Sequence, residues 1–365
     1  MNQNSHLLSR AHYGLLSLSI MSLAACGGGG GSSESTSLYD GPSAAVAIND
    51  DNAENLAGAV YDSIIDLNSI DESFRELSRV AEVGADNVNF DLIDYLKART
   101  LDMINQNRQS LSSTLAYSES ETVECSGGGN VSYSASYASY DTETVGDRMS
   151  ITYNDCRDGT SGPVINGKLS MTVAEVQGYP WHGETWALTF DTNFEYLKVT
   201  GGATKGLYMS DGGVTDSDFF ATYHGGMRFK ISETPDQETM NVSGKEFTVA
   251  SSIASVRQRN FEQYLNYRFI DNSWESVRGH NTTVASTLIG GEVIVTTVED
   301  FVTTGSDWYP SSGQLLIKGA IGSKLRITAQ DGEHGTVLLE WDSNGDGTYD
   351  GTTETHWDDL TDLLI

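Results

Sequence analysis

Near the C-terminus, oxygen-bearing residues recur at fixed intervals: Asp342, Asn344, Asp346, Thr348 and Asp350, with glycines at 345 and 347. With Asp342 as position 1, side-chain oxygens stand at positions 1, 3, 5 and 9, Gly347 at 6, and the carbonyl of Thr348 at 7. A hard cation such as Ca²⁺ takes about six to eight oxygens at roughly 2.3–2.6 Å, and alternate residues of a tight loop can aim theirs at one point. A glycine at position 6 permits the sharp turn this needs. The same residues also spell a solvated hairpin turn, because Asn-Gly and Asp-Gly are favoured turn dipeptides. Both readings stand at this level.

The spacing resembles the calcium loops of EF-hand and dockerin proteins at Asp342, Asn344, Asp346, Gly347 and Asp350. It departs at position 12, where Thr353 replaces the bidentate acid and Glu354 comes one residue late. Residues Thr336–Trp341 read as a strand, so the segment is more similar to the strand-flanked loops of calcium-binding β-repeat proteins. The resemblance implies calcium as cofactor and Asp342, Asn344, Asp346, Thr348 and Asp350 as its ligands. A loop lacking the twelfth ligand would bind weakly, which suits extracellular calcium.

Other chemistry is thin. His182, His224, His280, His334 and His356 show no metal-ligand spacing. There is no His-Glu-x-x-His, Gly-x-Ser-x-Gly elbow, phosphate loop or dinucleotide fingerprint. No residue is singled out as catalytic, and the reading is of a protein that is not an enzyme.

The N-terminus carries an address. A short polar start (Asn2 to Arg10) precedes an apolar stretch, Gly14 to Leu23. That is well short of the ~20 residues a spanning helix needs. Leu23-Ala24-Ala25-Cys26 follows, then Gly27 to Gly31. This resembles the lipobox of bacterial lipoproteins. The resemblance implies a signal peptide over 1–25, acylation of Cys26, and a membrane partner reached through the lipid; several chains hold where one is marginal. Gly27 is not the aspartate of inner-membrane retention, so the implied destination is the outer membrane. Residues 26–43 read as a flexible tether.

With Cys26 lipidated, Cys125 and Cys156 remain, 31 positions apart. An even pair in an oxidising compartment reads as a disulfide. The charge is strongly acidic, 21 Lys plus Arg against 51 Asp plus Glu for −30. A surface this negative repels phosphate backbones, which argues against nucleic acid as a partner.

The elements that must position these groups follow from periodicity. Residues 44–116 form a helical segment: Leu56, Val60, Ile64 and Leu67 make one stripe, Ser69 to Glu72 a capping box, and 87–110 a third stretch. From 117 to 365 the period changes to two. Gly167–Val173 alternates without a break, and Gly-led segments at 206, 226, 244, 291 and 313 repeat the pattern at about hairpin spacing. The expected fold is mainly β with an N-terminal helical segment, α+β overall. It is a large antiparallel meander forming a curved sheet, open or closing barrel-like round the helices. Most strands read as shorter than a transmembrane barrel needs.

These features suggest an envelope module that binds a protein or other ligand across its sheet. A hydrolase with dispersed catalytic residues and a lipid carrier with a cavity in the sheet are the alternatives.

Overall fold

The computed structural model describes residues 38–61, 63–64, 117–138, 143–157, 159, 163–179, 184–201, 220–251, 254–270, 273–305, 309–332 and 334–362. The leader, Cys26, the glycine tether, the capping box at Ser69, the helical stretch at 87–110 and the strand expected at Gly206 lie outside these residues.

Fourteen strands form one antiparallel sheet in chain order, each hydrogen-bonded to its sequence neighbours. They are β1 (Tyr117–Glu124), β2 (Asn130–Tyr137), β3 (Arg148–Arg157), β4 (Val164–Gly178), β5 (Trp186–Thr200), β6 (Phe220–Thr234) and β7 (Gln237–Ser251). The second half comprises β8 (Ser255–Ile270), β9 (Ser273–Ser286), β10 (Gly291–Thr304), β11 (Ser312–Lys318), β12 (Lys324–Asp331), β13 (Thr336–Asp342) and β14 (Gly351–His356). The expected meander is present, but among the described residues the sheet does not close, and β1 and β14 are its two edges. A helix α1 begins at residue 53, with its described residues running to 64, and a short α2 (Trp357–Asp362) follows β14.

The strands are longer than their sequence pattern suggests. β4 to β10 run for 14 to 16 residues each. Register shifts interrupt them at Asn166/Lys168, Phe194/Leu197, Gly225/Arg228 and Arg259/Glu262. Each shift resets the inside-outside phase, so one strand reads as two short ones. Of the glycines expected to lead strands at turns or bulges, Gly291 opens β10 and Gly313 is the second residue of β11, whereas Gly167 and Gly226 sit at bulges inside β4 and β6 and Gly244 pairs in register within β7. Gly167 has φ 101°, and a Cβ there would run into the Tyr196 carbonyl. Because bulges raise local twist, shifts on consecutive ladders coil the sheet.

One face is buried, and it carries two apolar clusters. The first spans β2 to β8, with Ile151, Ile165, Phe194, Leu197, Phe229 and Phe261 at its centre. The second joins β9 to β13 with Leu56, Val60 and Ile64 of α1 and with Trp357 and Leu360 of α2. The four-residue spacing of that α1 stripe is what places all three side chains on the sheet. Between the clusters, β8 and β9 present buried polar side chains: Gln258, Gln263, His280 and Thr282. Gln258 Nε2 donates to the Ser63 carbonyl at 2.6 Å, so part of this band ties α1 to the sheet.

The chain before α1 is already part of the body. Tyr39 is buried, its ring lies under the Arg257 guanidinium at 4.7 Å, and its hydroxyl donates to the Pro42 carbonyl at 2.7 Å. Residues 39–43, read from sequence as the end of the tether, therefore belong to the folded unit. From there the strap crosses the turn end of the sheet. Ala45 bridges to Glu292, and Ala320 donates its N–H to the Val46 carbonyl at 2.6 Å. The Ile48 N–H donates to the buried Ser323 Oγ at 3.0 Å. Asn49 then caps α1.

Candidate functional site

The sequence-predicted loop joins β13 to β14. Asp342 ends β13 and is almost fully buried, at 1% exposure. Its Oδ1 accepts the Gly345 N–H at 2.7 Å and its Oδ2 the Gly347 N–H at 2.8 Å, while Lys324 Nζ lies 3.7 Å from Oδ2. Burial pushes this carboxyl up; the Gly347 and Gly345 amides and the Lys324 charge outweigh it and hold Asp342 below the usual range.

The remaining residues repeat the pattern. Asn344 Oδ1 accepts the Asp346 N–H at 2.8 Å, and Asp346 Oδ1 accepts the Thr348 N–H at 2.7 Å. Asp350 Oδ2 accepts the Ser343 N–H at 2.7 Å, closing the loop. The sequence motif thus folds as a chain of side-chain-to-backbone turns that satisfies the loop's own amides.

Whether this set suits calcium can be tested on its donors. They are all oxygens, three of them from carboxylates, as a hard cation demands. Each hydrogen bond uses one lone pair of an oxygen that has two. In kind, therefore, Asp342, Asn344, Asp346, Asp350 and the Thr348 carbonyl fit the ion. In arrangement they are turned toward the loop amides: among the described residues no three His, Cys, Asp or Glu side chains converge as a metal-binding group. Lys324 beside Asp342 also opposes a cation.

The loop is braced from outside by groups the spacing did not reveal. The Trp341 indole covers Gly351, so one ring closes both ends of the loop, and the Asp350 N–H donates to the Trp341 carbonyl at 2.8 Å. The indole N–H donates to Asp50 of the strap. Arg326 stacks on Tyr349 at 4.3 Å and pairs with Glu340, Nε to Oε2 at 2.7 Å. Tryptophan immediately before the motif was the one sequence signal available.

The cysteine pair is joined. Cys125 and Cys156 form a disulfide with Cα atoms 5.4 Å apart. The bridge fastens the β1–β2 turn to the end of β3, where Gly127 donates to the Arg157 carbonyl at 2.8 Å and Arg157 to the Gly128 carbonyl at 3.0 Å. In a meander, alternate connections share an end. The disulfide, the strap and the Asp342–Asp350 loop are therefore all at the same end of the sheet.

The histidines stay scattered. His224 stacks on Tyr196 at 4.2 Å, His334 pairs with Asp331, and the His356 ring meets the His334 carbonyl. His280 is buried in the polar band with Nδ1 unpartnered; burial first, and then the Arg278 charge, push its pKa down to about 3. His182 lies outside the described residues.

No protein-family model, curated protein or solved structure matches this chain. The residues alone must carry the functional reading.

Proposed function

We propose that this chain is an outer-membrane lipoprotein, anchored through Cys26, that serves the cell envelope as a non-enzymatic binding or structural module. One observation carries the reading most strongly. The disulfide takes Cys125 and Cys156, and the one cysteine left in the sequence is Cys26, in its Leu-Ala-Ala-Cys setting. A structural disulfide belongs to an oxidising compartment, the one a lipobox leads to. The strap supports it too: Tyr39, Val46 and Ile48 are tied to the sheet, so the residues between Cys26 and Tyr39 would be the link to the bilayer.

The anchor is tested by fractionation. Wild type should collect with outer membranes and incorporate labelled palmitate, and Cys26→Ser should do neither; an unlabelled wild type found only in the soluble fraction would overturn the anchor. The absence of turnover on ester, glycoside and peptide substrates is expected of the mature chain. Sustained turnover would replace this reading with a hydrolase.

The Asp342–Asp350 loop is, within this reading, a weak calcium site. Calcium there would supply charge that ties the loop together; Asp342, Asn344, Asp346, Asp350 and the Thr348 carbonyl are the groups that would hold it. All-oxygen donors at the expected spacing support this.

A further inference from the structure

The outer face of β1 to β4 holds an array that neither the anchor nor the loop uses. Ser120, Ser134, Ser150 and Ser170 are successive cross-strand partners, one serine on each of four adjacent strands. Two residues along, Thr122, Ser132 and Thr152 form a parallel row, and Ser118 with Ser136 begins a third on the other side. Adjacent strands lie about 4.8 Å apart and alternate residues about 6.8 Å, so these hydroxyls occupy a two-dimensional grid.

The grid is regular because its ladders are. β1–β2 and β2–β3 pair without a register shift, whereas the ladders from β3–β4 to β6–β7 are interrupted. The grid residues are exposed or half-buried; Ser120, Thr122, Ser132, Ser134, Ser150 and Thr152 line a shallow depression over β1 to β3, together with Glu121 and the buried Tyr133 from the alternate positions of β1 and β2. Thr122 and Ser132 bond to each other at 2.9 Å. Every hydroxyl is both donor and acceptor, so the array can satisfy a partner of the same kind at many points.

Charge and polarity narrow the partner. On a chain of net charge −30, the three rows contain no ionised side chain until Arg148 and Lys168 at their ends. Nucleic acid would need cations there. A protein partner would need aromatic or aliphatic anchors at the centre of the patch, and the grid supplies none. A neutral polyhydroxylated chain has the matching chemistry. Beyond the second row, where Lys168 pairs with Glu195 on β5, the neighbouring Tyr196 is 40% exposed and stacked on His224.

We propose that the outer face of β1 to β4 binds an extended neutral polysaccharide. This rests on the reading of the chain as a binding module and gives that module its ligand class.

The test is affinity electrophoresis of the mature chain carrying Cys26→Ser, through native gels containing dextran, mixed-linkage β-glucan or, as an anionic control, alginate. Wild-type mobility should fall with at least one neutral polymer and not with alginate. Ser134→Val with Ser150→Val removes two opposed hydroxyls while keeping strand-forming side chains, and should weaken retardation at least tenfold. Thr296→Val, on β10, should leave it unchanged. Near-UV circular dichroism checks that the double variant retains its fold. No retardation by either neutral polymer, retardation by alginate alone, or equal retardation of the double variant overturns the proposal. Reducing ends released from the polymer would instead overturn the non-enzymatic reading, and the double variant would still decide the grid.

Discussion

The indole N–H of Trp341 donates to the carboxylate of Asp50, joining residues 291 positions apart. It pins the strap that precedes α1 to the base of the Asp342–Asp350 loop. Trp341→Phe keeps the ring over Gly351 and removes the donor. A single exposed hydrogen bond contributes about 1 kcal/mol or less, so global stability should barely move. Local opening should change more. Amide exchange at Val46 and Ile48, whose backbone groups anchor the strap to the Ala320–Ser323 turn, should quicken in Trp341→Phe while the exchange of Ile151 and Phe229 stays as in wild type. Uniform exchange across the strap in both proteins would show that this bond does not hold it.

A second prediction concerns acid. His280 has a folded-state pKa of about 3, below its ordinary value of 6.5, because it is buried and faces the Arg278 charge. Above the unfolded pKa both states are neutral and the residue adds no pH dependence. As pH falls below 6.5 the unfolded chain takes up a proton that the folded chain refuses, so stability drops between 6.5 and 3. From pH 7 to pH 5 the loss should be roughly 2 kcal/mol. Urea midpoints for wild type and His280→Gln measure it directly. The variant should lose less stability over that interval; parallel pH profiles would contradict the assignment.

The disulfide is expected to act on the unfolded chain. Its 31-residue separation corresponds to about 3–4 kcal/mol of loop-closure entropy. Cys125→Ser with Cys156→Ser should therefore lower the unfolding free energy by that amount, with a steeper denaturant slope because the unlinked unfolded chain exposes more surface. A much smaller effect would mean that the paired backbone bonds between Gly127, Gly128 and Arg157 already hold the turn in place.

Local pattern was legible in this sequence and tertiary geometry was not. Gly167 to Val173 alternates because one side of β4 meets the core, and Leu56, Val60 and Ile64 recur every four residues because one side of α1 does. The true length of β4 was hidden by the shifts at Asn166/Lys168 and Val173/Glu175, which swap the faces without changing composition. The strap escaped notice because its contacts to Arg257, Ser323 and Trp341 come from residues more than 200 positions away. At the loop, spacing named the oxygens but not their directions. Asp342, Asn344 and Asp346 each accept nearby amides, a choice set by local backbone torsions.

That choice makes the loop prediction quantitative. Asp346 accepts one exposed amide bond, from Thr348, so Asp346→Ala alone should cost little stability. If calcium binds, it stabilises the folded chain by mass action, about 2.7 kcal/mol when its concentration is a hundred times the dissociation constant. Extracellular sites of this kind bind at roughly 10⁻⁴–10⁻³ M, so the effect belongs to millimolar calcium. Thermal melts in 10 mM Ca²⁺ should rise for wild type and stay flat for Asp346→Ala, with Mg²⁺ raising neither as far. Lys324→Met removes the ammonium 3.7 Å from Asp342 and should increase the calcium shift, since the cation then meets an unopposed carboxylate. Equal shifts in wild type and Asp346→Ala, or a smaller shift in Lys324→Met, would leave the loop as a turn whose carboxylates serve only its own backbone.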